Sequence, residues 1–284
     1  MNYRVVLRTT GAAIFAGVLA FGCVVAPSTQ EIATKTAEPN FAPTAGSGLS
    51  VYSDPGKSSS LLFLGTSHTF DETNPQILDI ERLFHKFRPS IVLVEGGDWQ
   101  VAATKKSAIR LGGEMGLVTY LAAENGTKAQ SLEPRFEDEV SFVLAAYQPL
   151  DVKLFYSLRM VSQFRRQQSP DGLVERMNHL LGGRDLGAMP KLDISPMNVE
   201  ELSVIFKSRF PALIDWQQID PFVVGLPREA DGSDTLNQIR KRSEAFRNAQ
   251  MARLILSHLK DNHRVLVVAG TNHMVALMPL LRQQ

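Results

Sequence analysis

Two segments near opposite ends of the chain share one pattern. Leu62-Phe63-Leu64-Gly65-Thr66-Ser67-His68 and Val267-Val268-Ala269-Gly270-Thr271-Asn272-His273 each lead an apolar run into Gly-Thr-x-His. A histidine just past such a run can serve as a proton carrier or a metal ligand near neutral pH. Two acidic residues also close apolar runs: Glu95 after Ile91-Val92-Leu93-Val94, and Glu133 after Leu132. A carboxylate at the end of a buried segment is costly unless it is paired or bound to a cation. Two imidazoles and two carboxylates suit zinc, manganese, cobalt or iron. The corresponding chemistry is metal-activated water with a carboxylate as general base. The same residues also permit a metal-free histidine–glutamate acid–base pair.

One Gly-x-x-His carries little information, because many chains contain one; the repetition carries the expectation. His85, His179, His258 and His263 fall in helical or surface patterns without evident partners and read as structural or solvated. Glu133 precedes Pro134, so a turn or helix cap is its alternative role. Arg247, in Arg247-Asn248-Ala249-Gln250-Met251, lies one helix before the last strand and could point at an anion, whereas Arg240-Lys241-Arg242 reads as a solvated helix face. Metalloprotease His-Glu-x-x-His, the nucleophile elbow and the dinucleotide and phosphate-loop glycine patterns are all absent.

These residues need strands that end at one edge. The short apolar runs at residues 61–64, 91–94 and 264–269 read as fully buried strands, and residues 128–132 as a weaker one. Helical spacing appears at 74–87, 116–125, 137–148, 152–167, 172–181, 198–207, 235–260 and 273–282, with a long loop at 217–234. Strands alternating with helices predict an α/β fold: a mixed, largely parallel sheet flanked by helices, with a helical cap inserted around residues 136–210. Gly65 and Gly270 would let the chain turn tightly out of their strands. His68, Glu95, Glu133 and His273 would then meet at the carboxyl edge, where such sheets bind ligands.

Composition sets the outer limits. The 284 residues are 44% hydrophobic and 21% charged, with a net charge of +1 and scattered basic residues. That gives no footprint for nucleic acid. Arg4 and Arg8 flank the start of an apolar, small-residue run that ends at Cys23, the only cysteine. Such a segment reads as an export signal and is short for a membrane span. It resembles a bacterial lipoprotein signal with a lipidated Cys23 and hence a membrane anchor, although Ala20 stands where leucine is usual. Simple cleavage and a retained anchor are the alternatives. The expected organisation is therefore a signal at 1–23, a flexible Pro/Thr/Ala/Ser/Gly-rich tether at 24–60, and one domain at 61–284.

Gly65-Thr66-Ser67-His68, Val94-Glu95, Leu132-Glu133, Arg247-Asn248 with Met251, and Gly270-Thr271-Asn272-His273 together resemble the TIKI/TraB superfamily. That superfamily also embraces pheromone-shutdown, GumN-like, ChaN-like haem-uptake and erythromycin-esterase-like groups. The likeness spans residue 61 to the end. It implies a metalloprotease-type hydrolase using manganese or cobalt, with His68, Glu133 and His273 as metal ligands, Glu95 as ligand or general base, and Arg247 stabilising an oxyanion. Zinc suits the donors equally. The partner would be a peptide or small-molecule substrate in the cell envelope. The alternative is an envelope lipoprotein that binds a peptide or haem without catalysis. The segment at 217–234 and the helical cap have no counterpart in the superfamily pattern.

Overall fold

The computed structural model describes residues 42–54, 59–97, 99–166, 172–182, 197–213, 215–219, 226–261 and 263–282. The expected signal with Cys23 and the first part of the expected tether lie outside these residues, as does part of the loop at 217–234. The elements in order are β1 (Ser50–Asp54), β2 (Ser60–Thr66), α1 (Pro75–Phe87), β3 (Ile91–Val94), α2 (Lys105–Glu124), β4 (Lys128–Ser131), α3 (Phe136–Leu144) and α4 (Pro149–Arg166). They continue with α5 (Leu173–Leu181), α6 (Val199–Arg209), a 3-10 turn (Trp216–Gln218), α7 (Thr235–Lys260), β5 (Arg264–Gly270) and α8 (Thr271–Arg282).

The sheet is five-stranded, ordered β1-β2-β5-β3-β4, with β1 antiparallel and the other pairs parallel. Strand alternation sorts its core into two layers. Leu62, Leu64, Val92, Val94, Leu266 and Val268 pack with α1 and α2 on one face. Phe63, Leu93, Val265, Val267 and Ala269 pack with α7 and α8 on the other. Because both faces are covered, the strands read as unbroken apolar runs. α1 starts as its sequence dictates: Asn74 accepts the Gln76 N–H, Pro75 occupies the first turn, and Ile77, Ile80, Leu83, Phe84 and Phe87 form its buried stripe.

Folded structure begins earlier than the expected boundary at residue 61. Ser50–Asp54 pairs with β2, and Thr44 donates its backbone N–H and its hydroxyl to the buried carboxylate of Asp79 at 2.5 and 2.8 Å. Val51 and Tyr52 supply the strand preference that the surrounding small polar residues conceal. An antiparallel edge also needs only one apolar face.

Helices α3–α6 form a hydrophobic cluster separate from the two sheet layers, built on Phe155, Tyr156, Leu158, Leu202 and Phe206, which also takes in Leu236 and Ile239 of α7. Farther along α7, Met251, Ala252 and Ile255 belong to the sheet-side core. One 26-residue helix therefore packs into both clusters, and its buried stripe turns polar at Ser243 and Arg247 between them.

β5 sits at the centre of the sheet, so truncating it should be costly. Leu266→Ala, at a position with 0% exposure, should lower unfolding free energy by about 2–5 kcal/mol in denaturant titrations. Val204→Ala, at a position 71% exposed, should cost less than about 0.5 kcal/mol.

Candidate metal centre

Thr66 of β2 lies level with Gly270 of β5, and Val94 of β3 level with Val268. Three neighbouring strands thus end together and deliver His68, Glu95 and His273 to one edge. Leu132 extends the β4 side through its N–H to the Val94 carbonyl at 2.7 Å, which sets Glu133 beside them. Ligand atoms of Glu95, Glu133 and His273 all lie within 4.8 Å of one another. The fourth expected residue stands slightly apart: His68 Nε2 is 4.0 Å from Glu95 Oε2.

The two Gly-Thr-x-His segments leave their strands differently. Thr271 begins α8 directly, so His273 sits in a first helical turn. After β2 the chain forms a loop, and His68 takes a left-handed backbone conformation with φ 54°. That is an uncommon choice for a non-glycine residue, and strained conformations cluster at functional sites. Gly65 and Gly270 lie within their strands rather than at the expected tight turns. Their requirement is space. A Cβ on Gly270 would stand 2.8 Å from His68 Nε2 and 3.4 Å from Glu95 Oε2, and one on Gly65 would stand 2.8 Å from the Met274 sulfur.

Each functional side chain is held by a neighbour. Glu114 Oε1 lies 2.8 Å from His68 Nδ1 and accepts the Thr66 hydroxyl at 2.7 Å, while its Oε2 accepts the Thr69 N–H at 3.0 Å. Burial pushes the Glu114 carboxyl up, but its hydrogen bonds with His68, Thr66 and Thr69 outweigh that and lower it. An ionised Glu114 places the His68 proton on Nδ1 and leaves Nε2 facing Glu95. Glu133 does not cap α3, whose N-cap is Arg135. Instead, Arg247 donates to it through both Nε and Nη2 at 2.9 and 2.5 Å. Two of the donors expected to serve an oxyanion are thus committed to Glu133. The adjacent Asn248 carries Oδ1 3.3 Å from His273 Nδ1. Behind Arg247, Glu139 Oε1 accepts from Tyr156, Arg159 and Ser243 at 2.8, 3.1 and 2.5 Å.

Sequence patterns did not disclose Glu114 or the Glu139 cluster. The available signal for Glu114 was Gly112-Gly113 inside a helical run. Gly113 has φ 58° and ψ −140°, which breaks α2 and starts its second half at Glu114. A Cβ there would also come within 2.6 Å of the Thr69 carbonyl oxygen. α2 begins earlier than residue 116 because the Thr104–Ser107 capping box starts it.

Glu95 is the electrostatic centre. Its Oε2 accepts the Gly270 N–H at 2.6 Å, and its Oε1 lies 3.4 Å from His273 Nε2. Among the described residues its ion pairs are with the two histidines alone, which are charged only if protonated. With His273 Nδ1–H donating to Asn248, a neutral Nε2 would turn its lone pair toward a carboxylate oxygen. Such a contact calls for a proton or a metal ion. An imidazole and two carboxylates are a fitting donor set for a borderline divalent cation, and two donors at tetrahedral zinc stand about 3.4 Å apart. Glu95, Glu133 and His273 therefore fit a divalent ion, with Arg247 and Asn248 as outer supports.

Burial pushes the Glu95 carboxyl up, but the His273 hydrogen bond and charge, the Gly270 N–H and the His68 charge outweigh it and pull it from 4.5 to about 2. A folded-state value below the unfolded one gives stability that is complete above about 4.5 and is lost as pH falls toward about 2. Glu95→Gln should flatten that part of the acid-unfolding curve, followed by circular dichroism. An unchanged slope there would contradict this electrostatic role. No family model, curated protein or solved structure matches the chain.

Proposed function

We propose that this protein is a metal-dependent hydrolase, peptidase-type in its chemistry, acting in the cell envelope as a TIKI/TraB-like member with the corresponding fold. The observation that carries the reading is the mutual approach of Glu95, Glu133 and His273 within 4.8 Å at the carboxyl ends of three strands. The resemblance of the paired Gly-Thr-x-His segments to that superfamily supports it. So does the N-terminal signal pattern ending at Cys23, which supports export and anchoring by lipidation.

Glu95, Glu133 and His273 would hold the ion, with manganese, cobalt or zinc as the candidates. When bound, the ion supplies an activated water and polarises the scissile carbonyl. The remaining work falls to the chain. His68 is half-exposed, its side chain being 51% accessible, so a substrate can reach it. Its Nε2 takes a proton from the attacking water and returns it to the leaving amine. Glu114 stabilises the resulting imidazolium through Nδ1–H and fixes the tautomer. Arg247 holds Glu133 in place through two hydrogen bonds, and the Asn248 carbonyl orients His273. Phe70, two residues past His68 and 61% exposed, offers an apolar surface for a peptide side chain.

Metal analysis of the purified chain, with peptidase and esterase assays, tests this reading. His273→Ala should lose both the ion and hydrolysis, whereas His68→Ala should keep the ion and lower kcat by about 100-fold or more. A wild type that takes up no manganese, cobalt or zinc defeats the proposal. Metal uptake without hydrolysis of any peptide or ester favours a binding lipoprotein instead.

Glu114 acts through His68 and is a positioning residue. Glu114→Gln should lower kcat more than it raises KM and should displace the pH–rate profile. A profile that keeps its shape while activity falls in proportion to folded protein would reduce Glu114 to a structural role.

A further inference from the structure

The opposite end of the sheet carries a second group of potential ligands. His258, in the last turn of α7, Asp261, the residue that ends α7, and His263, just before β5, bring ligand atoms within 4.8 Å of one another. The two imidazoles are separated by four residues, a spacing within the range common in zinc sites. They pack edge to face with ring centroids 5.4 Å apart. The helix end is folded back to allow this, since the His263 N–H donates to the His258 carbonyl at 3.1 Å. These histidines, expected from sequence to be unpartnered, are thus partners of each other.

The second contact of each ring leaves one nitrogen for an ion. His263 Nδ1 is 3.0 Å from the Ser90 hydroxyl, which also accepts the Arg264 N–H at 2.9 Å. As an Nδ1–H donor to Ser90, His263 turns out an unprotonated Nε2. His258 Nε2 is 3.1 Å from the Gln130 amide, while His258 Nδ1 is shielded from solvent and has no hydrogen-bond partner among the described residues. Turning that amide by half a rotation lets its oxygen accept Nε2–H and bares the Nδ1 lone pair, an orientation that heavy-atom positions do not distinguish. Ligating histidines characteristically hold their other nitrogen in this way. The carbonyl end of α7 adds the negative pole of its dipole, and Asp261 contributes a carboxylate.

We propose that His258, Asp261 and His263 bind a second divalent cation of the zinc class, coordinated through His258 Nδ1, His263 Nε2 and the Asp261 carboxylate, with water completing the shell. Two imidazoles select against magnesium and calcium. The site is a structural clip. It ties the end of α7 to the start of the central strand, where the His263 carbonyl already accepts the Ser60 N–H from β2 at 3.3 Å.

Zinc titration of the full chain by calorimetry, with metal analysis after dialysis, tests it. The wild type should take up two equivalents. His263→Gln and Asp261→Asn should each weaken one binding event at least ~10-fold, while His273→Gln weakens the other. Zinc should raise the wild-type unfolding temperature by mass action, and this rise should shrink in His263→Gln and Asp261→Asn even where hydrolysis is unaltered. Asp261 is exposed, so its variant should fold even if a histidine variant does not. Wild-type stoichiometry and affinity in both His263→Gln and Asp261→Asn would overturn the proposal, as would a single equivalent lost only in His273→Gln.

Discussion

The parallel, in-register pairing of β2 with β5 is the constraint from which the site follows. Residues 60 and 264 are more than 200 positions apart, yet seven consecutive residue pairs lie level across these strands. A slip of one residue would send every side chain of a strand to the other face. Leu62 and Leu64 would leave the layer under α1 and α2, and His68 would no longer meet Gly270. The apolar alternation that builds two cores therefore also sets the alignment of the edge that carries the candidate ligands. Central placement of β5 has a further effect, because Glu95 on one neighbour and His68 on the other both reach Gly270.

Electrostatics divide four acids, two buried and two half-buried, into different classes. Glu133 has a permanent cation in Arg247, and Glu139 has Arg159. Glu114 relies on hydroxyl and backbone donors with His68. Among the described residues Glu95 has no such cation within ion-pair distance, only imidazoles and one backbone N–H. Desolvation penalises all four, so the one compensated by titratable groups is the one where an exchangeable charge belongs. This difference in partners sets Glu95 apart from the other three acids.

Four of the five strands, most helices and the meeting of the two Gly-Thr-x-His segments were legible in sequence because the apolar runs and the repeated motif are local signals. The span of α7 could be read directly, Thr235–Lys260. Less legible were features fixed by distant partners. Gly270 looks like a turn former in one dimension, but its missing side chain makes room for the His68 ring from the loop after β2. Glu114 sits in what reads as a plain helix, and only the Gly113 break aims it at His68. β1 is hidden in a polar stretch because its partner, and not its composition, makes it a strand. Arg247 drew notice as a possible anion binder; its committed partner is the acid whose role was ambiguous.

Helix α7 joins the two hydrophobic clusters as one continuous rod, and Arg247 lies where the stripe passes from one to the other. A rod transmits rotation and axial displacement with little loss. A shift of the helical layer that carries α7 with it would move the guanidinium that grips Glu133. The layer that contributes no ligand of its own is thus mechanically geared to the geometry of the donors, and remodelling it would retune the centre from a distance.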